Sequence, residues 1–278
     1  MAARPGSQRE VVPPGAVSAP AGAEATRTRW SAWAALILLI GGLSIGVVLA
    51  LAGGPWQVLA VLHLGALAIW FLVWRRSWRD LLRSAGPRSP WLLFAVGAGL
   101  CALSAVARRP IDDPGAVLAP VTLTGLLSAL ASAVGVGVLM NAVPEELSLR
   151  RCLLEPLRAQ FGDRFALWVT ALAFVGIHLP TWISSGATAS IYAAEVPEKL
   201  FFGLVAGWSV LRLDSLAFAL GMHVGGNVVG VLLDSLSRQD TLTGWSRLTA
   251  PVVVATLIET TAAAGAVWYL SRKPGAGR

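Results

Sequence analysis

Charge is scarce in this sequence. Only 13% of its residues are Asp, Glu, Lys or Arg, against about 25% in a typical soluble domain. That deficit excludes a chain solvated on every side. Lysine is nearly missing: Lys199 and Lys273 are the only two, and every other basic residue is arginine. With the abundant Ala and Gly, this bias points to a GC-rich bacterial genome. Cysteine occurs twice. Cys101 lies in an apolar run and Cys152 beside an arginine-rich turn, so neither a disulfide nor a cysteine metal site is expected.

What the sequence has in quantity is apolar residues, 55% of 278. They fall into runs spread from Trp33 to Leu270, which favours an all-α transmembrane helix bundle over separate soluble domains. A helix crosses a bilayer in about 20 residues. By that rule about eight spans are expected: Trp33–Leu51, Trp56–Trp74, Trp91–Val106, Val121–Leu149, Phe165–Pro180, Leu200–Leu213, Ser215–Leu233 and Val252–Leu270. Residues 1–30, rich in Pro, Ala, Gly and Arg, read as a disordered cytoplasmic tail. Residues 31–273 form the membrane domain and 274–278 a short C-terminal tail. The first run has no obvious cleavage site and is not read as a signal peptide. The second begins and ends on tryptophan, as suits the membrane interface.

The net charge is +7. The arginines stand in short clusters between apolar runs, the pattern of cytoplasmic membrane flanks, so the expected partner is the lipid bilayer and not nucleic acid. With eight spans and a cytoplasmic N-terminus, seventeen of the 22 basic residues fall on the inside and five outside. The positive-inside rule then puts both termini in the cytoplasm.

Ionisable residues within apolar helices are costly and mark function by default. They cluster in three places. In Pro144-Glu145-Glu146-Leu147-Ser148-Leu149-Arg150, helical spacing puts Glu146 and Arg150 on one face. Glu145 points about 100° away, so one carboxylate is neutralised while its neighbour stays free. Pro144 removes a backbone donor and is expected to kink the helix. In the fifth run Phe174 and His178 share a face, with Gly176 beside the ring. In the seventh, His223 and Asn227 lie one turn apart, two donors on one face suited to a developing oxyanion. Each cluster alone reads equally well as an interfacial ion pair or an interhelical hydrogen bond. His63 has no ionisable companion nearby in sequence and reads as structural.

Taken together, EExxxR, FxxxH and HxxxN on successive apolar helices resemble the CAAX-protease and bacteriocin-processing (CPBP) family, which includes CAAX prenyl endopeptidases and Abi-type proteins. The residues that carry the resemblance are Glu145, Glu146, Arg150, Phe174, His178, His223 and Asn227. The resemblance implies an intramembrane endopeptidase acting on a membrane-associated peptide or protein substrate, by CAAX-type or leader-peptide processing; with the compositional bias above, the expected location is a bacterial plasma membrane. It implies that Glu145, with His178, activates water, that His223 and Asn227 stabilise the oxyanion, and that Glu146 and Arg150 hold the site.

The cofactor reading stays open. Glu145, His178 and His223 make a two-His, one-carboxylate zinc set, as a metalloprotease would need, but no HExxH motif is present. The pairing of His223 with Asn227 favours a metal-free mechanism. Two other readings are a proton-coupled transporter, which also buries ionisable groups, and a non-catalytic immunity or scaffold protein of the same family. Glu145 must also reach the depth of His178, which requires the fourth helix to continue past Arg150, to about Arg158.

Overall fold

Backbone polar groups within a bilayer must be satisfied inside the protein, and a single segment does this only as a helix. The computed structural model describes residues 33, 34, 37, 88–112, 117–118, 122–238 and 250–272, and it is helical throughout apart from short turns and one two-residue pairing. Six long helices are seen: α1 (Pro90–Asp112), α2 (Leu123–Phe161), α3 (Asp163–Ser184), α4 (Ala189–Leu213), α5 (Ala217–Leu236) and α6 (Ala250–Ser271). Val117–Leu118 (β1) pairs antiparallel with Ser237–Arg238 (β2). Large apolar side chains face outward, among them Trp91, Leu103, Leu123 and Ile258, as expected of surfaces that meet lipid.

Among the described residues four helical stretches are long and apolar enough to cross a membrane: Pro90–Arg109, Leu123–Phe161, Asp163–Ser184 and Ala217–Leu236. The expected third, fourth, fifth and seventh spans correspond to these. The count of about eight is not confirmed. The first two expected spans and His63 lie outside the described residues, save for three positions of the first. The sixth falls within α4, which starts at Ala189 and carries Glu195, Glu198 and Lys199 ahead of its apolar half. The eighth falls within α6.

Helix ends follow local chemistry. Thr122 caps α2 by accepting from the Gly125 backbone N–H. Gly162, at φ +85°, makes the turn between α2 and α3, a conformation open to glycine because it lacks a Cβ. Asp214, at φ 48°, turns the chain from α4 into α5.

α2 continues past Arg150 to Phe161, so Glu145 stands mid-helix. The helix is not uniform. Ala133–Ala142 and Leu147–Leu154 are wound as π-helix, with the α-helical turn Val143–Glu146 between them. Pro144 and Pro156 each follow such a stretch. A proline ring clashes with the carbonyl four residues earlier in an α-helix, and the wider π turn relieves that clash. The expected kink at Pro144 is thus taken up as a change of winding within one continuous helix.

Packing is tightest between α1 and α5. A Cβ added at Gly221 would lie 2.2 Å from Phe94 O, one at Gly225 2.2 Å from Ala98 O, and one at Gly97 2.4 Å from Phe218 O. Only glycine allows these two backbones so close. His223 lies about 200° round α5 from Gly221, so the face turned to α1 leaves the histidine directed into the bundle.

Candidate active site

Three helices supply the ionisable residues. From α2, Glu146 and Arg150 are both 0% exposed, and Arg150 Nε donates to Glu146 Oε2 at 3.2 Å. This is the pair expected from their spacing. A second bond crosses to α5: His223 Nδ1 and Glu146 Oε1 are 3.1 Å apart. A carboxylate held by arginine can only accept, so Nδ1 carries the proton and donates. The other ring nitrogen, Nε2, stands 3.7 Å from Glu145 Oε2. That is too long for a direct hydrogen bond and suits a group shared between them. Glu145 Oε2 makes no hydrogen bond among the described residues.

From α3, His178 Nδ1 donates to Phe174 O at 2.7 Å. A carbonyl only accepts, so this bond fixes the tautomer and leaves Nε2 as the free acceptor. Phe174 is the aromatic hub of the site. Its ring centroid lies 5.0 Å from that of His178, 5.7 Å from His223 and 5.1 Å from Phe202 of α4. Arg150 Cζ lies 5.8 Å from the Phe174 centroid, within cation–π range. Both histidines are thus clamped by rings as well as by hydrogen bonds.

Asn227, one turn along α5 from His223, donates through Nδ2 to Gly137 O at 3.1 Å. Gly137 belongs to the π-wound part of α2. A Cβ there would stand 3.3 Å from Asn227 O, so the glycine lets α2 and α5 close on this bond.

Glu145, Phe174, His178, His223 and Asn227 all line one cavity of about 380 Å³. Glu146 and Arg150 are not on its wall and act from behind it. The same cavity is also lined by ionic side chains. Lys199 lies 3.4 Å from Glu195 and 3.0 Å from Glu198, and Arg108 lies 2.8 Å from Glu198 and 3.8 Å from Glu259. Glu259 Oε2 also accepts from Ser104 Oγ at 2.7 Å. This chain of alternating charge joins α4, α1 and α6. Sequence reading did not single it out. The charges at 195, 198 and 199 were the available signal.

Asn141 was also missed. It stands four residues before Glu145 and lines the same cavity. Its spacing from Glu145 was the signal that pointed to it.

Among the described residues no three His, Cys, Asp or Glu side chains are gathered as a metal-ion site. Glu145, His178 and His223 share the cavity wall without the close convergence that a zinc set needs, since ligand atoms lie about 2 Å from the metal. No step below is routed through a metal.

Residues 127–229, from α2 into α5, match the family model described as type II CAAX prenyl endopeptidase Rce1-like. The match makes residues 127–229 similar to that family, and all the residues that carry the sequence resemblance fall inside it. Together with the apolar helices, the similarity supports an integral membrane protein and, at family level, a CAAX-type intramembrane protease. No curated protein and no solved structure matches the chain.

Proposed function

We propose that the protein is an intramembrane endopeptidase that hydrolyses a peptide bond of a membrane-associated peptide or protein, with Glu145 activating the water. The observation that carries this reading is the placement of Glu145, His178, His223 and Asn227, from three helices, on one cavity wall.

The chemistry divides among them. Glu145 Oε2, without a hydrogen-bond partner, takes a proton from water as the water oxygen attacks the scissile carbonyl carbon. His178, fixed as an acceptor at Nε2, helps to orient that water. The carbonyl oxygen becomes the oxyanion, met by Asn227, which has a second N–H beyond the one given to Gly137. His223 joins as a donor from Nε2 when it carries a second proton, with the Glu146 carboxylate at Nδ1 balancing that charge. As the C–N bond breaks, Glu145 returns its proton to the leaving amine. Arg150 holds the Glu146 carboxylate, and Glu146 keeps His223 in place. Donors fixed in advance gain strength where water is scarce.

The test is a comparison of membrane-associated precursors in cells with wild-type protein and with Glu145→Gln. Uncut precursors should accumulate only with Glu145→Gln. Identical precursor profiles, with purified wild-type protein also failing to cleave the candidates, would overturn the reading.

A further inference from the structure

Asn141 belongs to none of the motifs that led to the site, yet it lines the cavity with Glu145, His223 and Asn227. It lies one turn before Glu145 on α2. One turn earlier again is Gly137, whose carbonyl accepts from Asn227 at 3.1 Å. The face that α2 turns to α5 therefore carries, in order, a carbonyl that holds Asn227, an amide, and the carboxylate assigned as base. Two bonds tie this part of α2 to α5. One is Gly137 to Asn227, and the other is Glu146 to His223 at 3.1 Å. Asn141 stands between these bonds, and its side chain makes no hydrogen bond to any described residue.

An amide brings two N–H donors and an acceptor. On a cavity wall these groups are open to a bound molecule. The neighbouring donors are partly committed: Asn227 has given one N–H to Gly137, and His223 has given Nδ1 to Glu146. We infer that Asn141 contacts the substrate, its Nδ2 donating to the oxygen of the scissile carbonyl. That bond strengthens as the oxygen acquires negative charge. Water activated at Glu145 attacks from one turn away, and the oxygen that gains the charge is met by the next side chain on the same face. The inference rests on the hydrolytic reading above and adds a donor to it.

The test uses purified full-length protein in detergent with a quenched-fluorescent peptide library. Asn141→Ala should lower kcat by about 10²–10³, the usual loss for one oxyanion donor, with KM little changed and thermal unfolding unaltered. Asn141→Asp keeps the shape but offers acceptors only, and should lose as much. Asn141→Gln should recover part of the rate. A kcat for Asn141→Asp within about threefold of wild type is far below the loss of an oxyanion donor and would overturn the inference, as would a loss confined to KM. The Asp variant decides the matter if the Ala variant fails to fold. Equal cleavage by wild type and Glu145→Gln would instead sink the hydrolytic reading itself. Cleavage that needs Glu145 but tolerates Asn141→Asp removes Asn141 alone.

Discussion

Replacing Glu146 with glutamine takes one negative charge from a place no solvent reaches. Glu146 and Arg150 are both 0% exposed and 3.2 Å apart. Arg150 Nη1 and Nη2 make no hydrogen bond among the described residues. The guanidinium is thus compensated mainly by Glu146 and by the face of Phe174. Breaking a buried pair by removing one member costs about 3–5 kcal/mol, against a total stability of about 5–15 kcal/mol for a typical protein. The substitution also reaches the chemistry. If the glutamine oxygen stays with Arg150, its NH2 group faces His223 Nδ1, which must then accept. No carboxylate then faces Nδ1 to balance the second proton that makes Nε2 a donor. Glu146→Gln should therefore lose both stability and rate. The double variant Glu146→Leu/Arg150→Met separates the two effects. Replacing a buried pair by apolar groups of similar volume is often neutral or stabilising, so the double variant should regain most of the stability. It should stay impaired in cleavage, because His223 Nδ1 has lost its acceptor. Thermal unfolding in detergent and peptide cleavage, measured on the same preparations, read the two. A Glu146→Gln protein within about 1 kcal/mol of wild type would refute the argument, since the buried-pair cost is several times larger. So would a double variant less stable than the single one.

Glu145→Gln should lower cleavage by about 10²–10⁴, the worth of a general base, at unchanged unfolding temperature; near wild-type cleavage would remove Glu145 from its assigned role. Gly225→Ala, with its Cβ placed 2.2 Å from Ala98 O, should part α5 from α1 and lower both unfolding temperature and cleavage. Gly99→Ala, on α1 with nothing within 4 Å of its Cβ, should be neutral, and equal behaviour of the two would contradict the close-contact argument. Reporter fusions should place both termini and the segment from Arg75 to Arg88 on the cytoplasmic side; a signal from the 239–249 segment on that same side would break the eight-span topology.

The membrane-bundle fold and the residues of the three motifs were legible from the sequence because they rest on local rules. Hydropathy reports whether a run avoids water, and helical spacing reports which neighbours share a face, as with Glu146 and Arg150. The same rules fail across helices. Nothing in the spacing shows that Glu146 also bonds His223, or that Asn227 donates to Gly137, because those bonds depend on how α2 crosses α5. The division of labour expected of the two glutamates took account of Arg150 alone and not of the bond from Glu146 to His223. Asn141 went unnoticed because its four-residue spacing from Glu145 does not by itself show that both side chains line one cavity. The start of α4 was missed for a related cause. Glu195, Glu198 and Lys199 lower its hydropathy, and only the partners on α1 and α6 show why those charges are tolerated. The extension of α2 was inferred from the depth that His178 demands, but its π winding was not, since that depends on how the prolines are accommodated.

The contact of Gly97, Gly221 and Gly225 has a mechanical consequence. With backbone against backbone and no side chains between them, α1 and α5 have no slack through which to slide or part. His223 and Asn227 ride on that doubled beam. Room for a peptide to reach them must be made by helices that meet α5 through side chains, whose rotamers can yield. The groups that receive the substrate are thus built on the stiffest part of the bundle, and the path by which it arrives is left to the more compliant part.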